Sequence, residues 1–374
     1  MKGLMKYMAP LAPDISGAVS VLFDAGGLIV IMDAGGCTGN ACGFDEPRWF
    51  SKKSAIFSAG LRDLDAILGR DRLMLDKAGE VLDRMQANFL ALIGTPVPSV
   101  IGTDFQGLRR DAEKRFGIPA IAIDTNGMDL YDRGEEKAYR EVIRLIGRSK
   151  AESSERKESR ADGSGKGKEI VLVFGCTPLN LAPGDTMETV RQRIREECAG
   201  KGDPEVIFCG EHFEDIPKIP RAGRSFVIAP SGLPPAREIE KRFGIPAETG
   251  YPVSAETPEE LKKLLENRSG DGREDPLRIL IVHQAVYASS LREKIREKAP
   301  GAIVDDASFF QLPEEVSEER DVRLADEDGF LNLLEERHYD LVLADPILKR
   351  AVRNRCGGFF SLPHFAVSGN LAVI

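Results

Sequence analysis

Two cysteines five positions apart follow a glycine-rich turn, and they are the residues best suited to bind a redox group. The stretch LIVIMDAGGCTGNACGFDEPRW, residues 28–49, runs from an apolar strand into this turn. Thiolates are the usual protein ligands of iron–sulfur clusters. Glycines without side chains leave room and free amides for sulfide or phosphate. The candidate cofactor-binding residues are Gly35, Gly36, Cys37, Gly39 and Cys42, with the two cysteines as metal ligands.

One loop with two cysteines supplies only half of a four-cysteine site. The other four cysteines are scattered along the chain, at positions 176, 198, 209 and 356. A two-fold axis between two chains would turn two ligands into four. Two cysteines packed in a glycine turn, without any metal, are an equally open interpretation. A dinucleotide site is disfavoured because the turn lacks the G-x-G-x-x-G order and no amphipathic helix follows it.

Three further residues stand at or near predicted strand ends and are candidates for catalysis. Cys176 follows the strand IVLVFG, and His283 ends the strand RILIVH. His364 follows Pro363 near the C-terminus. An imidazole that titrates near neutral pH can donate a proton to a reduced substrate. Structural roles, a buried thiol and hydrogen-bonded histidines, remain open alternatives.

Composition narrows the class of protein. The chain has 374 residues, 42% hydrophobic and 30% charged, which is typical of a globular protein. A net charge of −9 argues against a nucleic-acid partner, which would need a basic face. The N-terminus lacks a secretory signal and no apolar run is long enough to span a membrane. We therefore expect a cytoplasmic protein whose cysteines serve metal, redox or packing roles rather than disulfides.

Apolar runs alternate with helix-period segments, which predicts βαβ units and mainly parallel sheets. Two polar stretches divide the chain into three α/β blocks. The predicted division is a first domain with the cysteine loop (1–148), a flexible linker (149–168), a second domain (169–267), a hinge (268–276) and a third domain (277–374).

An internal repeat supports duplicated domains. The sequence EKRFGIPA occurs at 113–120 and again at 240–247, with a looser version at 297–304. In each exact copy a glycine can end a helix in the left-handed conformation, and the following proline cannot continue it. Convergence on the same helix-to-strand turn is the alternative explanation.

The first 130 residues resemble the first domain of nitrogenase component 1 proteins. The order of the GGC turn, FSAGLRDLDAILG (57–69), FLALIGTPVPSVIGTDF (89–105) and FGIPAIAIDTNG (116–127) is similar to theirs. Val97 to Asp104 resembles the family segment that follows its third strand. FGCTPLNL (174–181), DLVLADP (340–346) and LPHFAVSG (362–369) resemble later elements.

The resemblance implies three Rossmann-like domains, an iron–sulfur cluster at a subunit interface and an ATP-dependent iron-protein partner. Cys37 matches the cluster-ligating cysteine after the family's first strand, and Cys42 is close enough in sequence to be a second ligand. The next family ligand falls at Pro96, and proline cannot ligate iron. We therefore expect a 4Fe–4S cluster that bridges two chains, either identical ones or paralogues, rather than the larger nitrogenase cluster.

The leading hypothesis is a nitrogenase-like reductase component. It would take electrons from an iron-protein-like ATPase and pass them to a small organic substrate between the domains. Arg48 and Trp49 would frame the cluster or the docking face, or else pack as a surface aromatic with a stacked guanidinium. The alternative function is a non-catalytic scaffold for assembling an iron–sulfur or tetrapyrrole-type cofactor.

Overall fold

The framework consists of three parallel β-sheets. The computed structural model describes residues 5–69, 71–146, 168–198, 202–254, 261–265 and 275–369. The strands are β1 Leu28–Ile31, β2 Ile56–Ser58, β3 Leu90–Ile93, β4 Ala120–Ile123, β5 Ile170–Phe174, β6 Glu205–Phe208, β7 Arg224–Val227, β8 Ala247–Thr249, β9 Arg278–Val282, β10 Ile303–Ser308, β11 Val322–Arg323, β12 Leu341–Ala344 and β13 Phe359–Ser361.

In each sheet, the strand that comes first in the sequence lies between two other strands. The strand orders are β2-β1-β3-β4, β6-β5-β7-β8 and β11-β10-β9-β12-β13, and every pairing is parallel. The predicted α/β class with three parallel sheets is thus confirmed. Of the predicted linker, 149–168, only residue 168 is among the described residues. Of the predicted hinge, 268–276, only residues 275 and 276 are described. The exact domain boundaries stay a prediction.

Helices cover the sheets on both faces. They are α1 Asp14–Leu22, α2 Gly36–Asn40, α3 Asp63–Leu68, α4 Asp71–Leu82, α5 Pro96–Ile101, α6 Phe105–Phe116, α7 Tyr131–Arg144, α8 Met187–Cys198, α9 Leu233–Phe243, α10 Ala285–Lys298, α11 Glu327–Arg337, α12 Lys349–Val352 and α13 Phe365–Ser368. No helix in the described parts of the chain has the length and apolar character needed to cross a bilayer.

Alternate residues of the first sheet point into two different cores. Leu28 and Leu90 face α4 and α6, whereas Ile29 and Ile93 face α1 and α7. The second core continues into the second sheet, where Leu172 contributes to it. The opposite face of the second sheet shares a core with the third sheet. The three sheets are therefore joined through common apolar cores.

The repeated EKRFGIPA segments form the predicted turn. α6 and α9 each end at the phenylalanine of the repeat, and Gly117 and Gly244 follow with φ of 67° and 74°. Strands β4 and β8 then begin at the alanine that closes each repeat. Because an L side chain is strained at this φ, glycine is the residue that permits the turn. Gene duplication remains a prediction.

Helices α1 and α7 cross at two glycines. A Cβ atom on Gly17 would lie 1.9 Å from the carbonyl oxygen of Tyr131. One on Gly134 would lie 1.7 Å from the carbonyl oxygen of Asp14. Both contacts are with backbone atoms, which cannot move aside as a flexible side chain can. The two helices can approach this closely only because neither glycine has a side chain.

We predict that Gly134→Ala destabilises the protein by about 3 kcal/mol, since overpacking against a backbone atom forces the helices apart. Gly43→Ala is the control, because a Cβ there would meet open space. Urea unfolding followed by circular dichroism measures both. A midpoint for Gly134→Ala equal to that of the wild type would contradict the close crossing.

Candidate functional site: the cysteine turn and the buried histidine pair

The cysteine turn lies at the carboxyl edge of the first sheet, as predicted. β1 ends at Ile31, and Gly35 has φ of 119°, a conformation that L side chains rarely adopt. The short helix α2 starts at Gly36 and carries Cys37. It runs directly into a π-helical turn, Ala41–Asp45, which carries Cys42. Gly35 thus allows the chain to reverse from the strand into the cysteine segment.

The two cysteines differ in accessibility. Cys37 is half-buried, whereas Cys42 is 6% exposed and belongs to the apolar core with β1 and α1. Burial, followed by the Asp33 carboxylate, raises the pKa of the Cys37 thiol. Burial, followed by Glu46, raises the pKa of the Cys42 thiol to about 11. In this conformation both side chains are protonated thiols at neutral pH, and Cys37 is the more accessible of the two.

The turn has open space on its outer side. Added Cβ atoms on Gly35, Gly36 and Gly39 would meet nothing within 4 Å. The described residues contain no group of three or more His, Cys, Asp or Glu side chains arranged to hold a metal ion. The turn therefore has room for a bound group beside Cys37, but the described residues do not provide a complete set of metal ligands.

An exposed apolar surface occupies the same edge of the sheet. α3 follows β2, α5 follows β3, and residue 128 lies in the connection after β4. We call this surface the apolar edge, and its residues are Leu64, Ile67, Val97, Val100, Ile101 and Met128. Val100 on α5 and Met128 in the connection after β4 are the most exposed of these side chains, at 84% and 83%. Such a surface is typical of a protein–protein interface.

Pro96 occupies the first position of α5, three residues after the end of β3. Proline suits this position because its fixed φ fits the first turn and no intrahelical bond is lost. In this chain, the residue that aligns with the family's ligand position therefore starts a helix.

Arg48 connects the segment that follows Cys42 to α1 and to the residues after it. Its guanidinium bonds to Asp24 at 2.9 Å, to Glu46 at 2.7 Å and to the carbonyl oxygen of Ser20 at 2.6 Å. The guanidinium also stacks over the ring of Phe23, whereas the ammonium group of Lys53 lies over the ring of Trp49. These contacts favour a packing role for Arg48.

His283 and His364 are brought together in a buried stack. Their ring centroids are 4.0 Å apart and the rings are nearly parallel, at 16°. Nε2 of His364 lies 2.9 Å from the carbonyl oxygen of Leu179, and Nε2 of His283 lies 3.4 Å from that of Pro363. A carbonyl only accepts, so each Nε2 carries the proton and each Nδ1 is bare.

Among the residues that the structure describes, neither Nδ1 atom of the pair has a hydrogen-bond partner. Burial lowers the pKa of His364 to about 4, and burial followed by the neighbouring imidazole lowers that of His283 well below its usual value. At neutral pH the pair is uncharged, and its ring protons are directed at carbonyl groups. Proton donation to a substrate by either histidine remains a prediction, and it would require this arrangement to open.

Cys176 lies at the carboxyl end of β5 in the core shared by the second and third sheets, together with Tyr251 and Tyr287. Tyr287 packs edge-on against His283. Burial raises the pKa of the Cys176 thiol well above its ordinary value. Tyr287 thus connects Cys176 with the histidine pair, and Cys176 is a neutral thiol there.

Glu135 is a buried carboxylate that the sequence analysis missed. It lies on α7 and accepts hydrogen bonds from Ser231 at 2.6 Å, from Asn180 at 2.8 Å and from Thr177. Burial raises its pKa to about 7 against the effect of these donors. The sequence does contain a sign of this site, because Glu135 lies at helical spacing among the apolar residues Tyr131, Tyr139 and Val142 of α7.

A family comparison identifies the class of protein. The model of the nitrogenase component 1 type oxidoreductase family matches residues 15–319. The chain belongs to this family. Its members are oxidoreductases that typically bind iron–sulfur clusters. A search of curated protein sequences gave no match.

Two solved structures are similar to the fold of this chain. The chain is similar to nitrogenase Cp1 at pH 6.5, with a TM-score of 0.66 and 12% identity over 96% of this chain and 87% of that one. It is also similar to nitrogenase Cp1 at pH 5, with a TM-score of 0.61 and 13% identity over 96% and 84% of the two chains. At this identity the likeness shows a shared fold.

We predict that Glu135 makes the protein less stable as the pH rises from 4.5 to 7. In this window the folded state retains a proton that the unfolded state releases, which removes up to roughly 3 kcal/mol of stability. Glu135→Gln cannot titrate, so its stability relative to the wild type should improve across this range. Urea unfolding at several pH values measures the difference. A constant difference from pH 4.5 to 8 would contradict this prediction.

Proposed function

We propose that this chain is the cluster-carrying component of a nitrogenase-like reductase, with Cys37 as its ligand in a cluster that bridges two chains. The observation that carries the proposal is the position of a half-exposed thiol within an open glycine turn, at the same sheet edge as the apolar edge. A partner seated there would exclude water from the cluster and supply the missing ligands. Cys42 is a second proposed ligand, and its thiol would have to leave the core.

Several residues of the chain have defined roles in this proposal. Gly35 allows the turn that presents Cys37, and the apolar edge excludes water around it. Pro96 fixes the start of α5, which belongs to the apolar edge. When bound, an iron–sulfur cluster supplies one-electron transfer. We propose that its electrons come from an iron-protein-like ATPase and leave to a small organic substrate.

A non-catalytic scaffold for cofactor assembly is the second candidate. The stacked histidines favour it, because neutral imidazoles bound to carbonyl groups are poorly placed to deliver protons. With an iron-protein partner and a reductant supplied, a reductase turns over its substrate. A scaffold binds the cofactor and hands it on to an acceptor protein without net reduction.

We predict that Cys37→Ala abolishes cluster binding. After anaerobic reconstitution with iron and sulfide, the wild type should hold about four iron atoms per two chains. The Cys37→Ala variant should hold none. Cys356→Ala is the matched control, since Cys356 is also half-buried but lies in the loop between α12 and β13, at the third sheet. A wild type without iron, or a Cys37→Ala variant with full iron, would contradict the assignment.

We also predict that Val100→Asp converts a dimer into monomers. Val100 is so exposed that a charge there leaves the chain's own fold intact, whereas burying that charge at an interface is costly. Sedimentation velocity measures the mass, and circular dichroism verifies the fold. Glu336→Arg, an exposed change on α11, is the control. A Val100→Asp protein that remains dimeric would exclude the apolar edge as the interface.

A further inference from the structure

Residues 6–12, which we call the strap, precede α1 and form no helix or strand of their own. Three consecutive backbone N–H groups of the strap, at residues 6–8, donate to the Glu327 carboxylate at 3.1, 2.8 and 3.0 Å. Glu327 begins α11 and is 4% exposed. A carboxylate at a helix N-terminus is stabilised by the helix dipole, and hydrogen bonds to an ionised acceptor are stronger than neutral ones. This single side chain therefore anchors one end of the strap.

The other end of the strap joins two elements beside the buried histidine pair. The N–H of Ala12 donates to the carbonyl oxygen of Ala366 in α13 at 3.0 Å. The carbonyl oxygen of Ala12 accepts the N–H of Tyr131, the first residue of α7, at 2.9 Å. Met8 and Ala12 are buried in the same apolar core as Tyr131 and Ala366. The strap therefore connects α13 to both α7 and α11.

Of the three helices next to the histidine pair, α13 is the least supported. α7 and α10 contact the pair through tyrosine rings and have 14 residues each. α13 directly follows His364 and has only four residues. Besides the strap, the Asp345 carboxylate holds this short helix, since it accepts the N–H of His364 and the hydroxyl of Ser368 at 2.8 Å each. Local opening begins where supporting contacts are fewest, so we expect it to begin at α13.

We propose that the strap is a releasable clamp on α13, and that its detachment from Glu327 gives access to the buried histidine pair. Once residues 6–8 leave the carboxylate, only the hydrogen bond from Ala12 and apolar contacts still hold the strap on α13. With less support α13 opens more often, and the imidazoles of His283 and His364 then become accessible. The inference goes beyond the proposed function and does not require a bound cluster.

Hydrogen–deuterium exchange of the full metal-free chain, followed by peptide mass spectrometry, tests the strap. We expect Glu327→Ala to speed exchange at least tenfold in peptides that cover 5–12 and 364–369, because their N–H groups lose protection when the strap is released. Peptides from α6 should keep their wild-type rates. Glu327→Gln should show a smaller increase, since its amide oxygen still accepts hydrogen bonds. Glu336→Ala is the matched control, an exposed glutamate on the same helix.

Diethyl pyrocarbonate, which modifies neutral imidazoles, measures the accessibility of the histidine pair in the same variants. We expect His283 and His364 to react several-fold faster in Glu327→Ala than in the wild type. His212, whose side chain is 53% exposed, is the internal reference and should react at the wild-type rate.

Three results would overturn the proposal. Unchanged exchange in 5–12 would show that Glu327 does not anchor the strap. Faster exchange in 5–12, with unchanged exchange in 364–369 and unchanged histidine modification, would show that the strap does not control access to the pair. Equal acceleration in all peptides, α6 included, in both Glu327→Ala and Glu327→Gln would indicate a general loss of stability rather than local release.

Discussion

The close crossing of α1 and α7 is the contact on which the rest of the structure depends. On one side, α1 holds the cysteine segment, because Ser16 bonds to Asp45 and the carbonyl oxygen of Ser20 bonds to Arg48. On the other side, α7 reaches the second sheet through Glu135 and approaches His364 through Tyr131. The edge with Cys37 and the buried histidine pair are therefore linked through two helices that contact each other backbone to backbone.

The cysteine turn and the histidine pair differ in what they can do in this conformation. Cys37 has open space and an apolar surface beside it, as a bridging group requires. His283, His364 and Cys176 are buried, neutral and packed against aromatic rings. We propose that the first region binds a group together with a second chain. The second is arranged to hold the sheets together, and chemistry there requires it to open.

The local features of the fold could be predicted from the sequence because they depend on nearby residues. The apolar run before the cysteine turn located β1, and the runs IVLVFG and RILIVH located β5 and β9, each to within a few residues. The FGIPA turns located the starts of β4 and β8. The burial of Cys42 could not be predicted, since it depends on how α1 covers the first sheet. Glu135 and the stack of His283 on His364 depend on contacts between residues 42 to 96 positions apart, which no local pattern encodes. For the same reason, the difference in burial between Cys37 and Cys42 could be seen only in the structure.

Native mass spectrometry of the anaerobically reconstituted protein tests the central claim most directly, because it counts chains and clusters in the same particle. If the half-exposed Cys37 at the apolar edge provides part of a bridging site, the dominant species will be two chains with a single 4Fe–4S cluster. Single chains that each carry a complete cluster, or a dimer without iron, would contradict it.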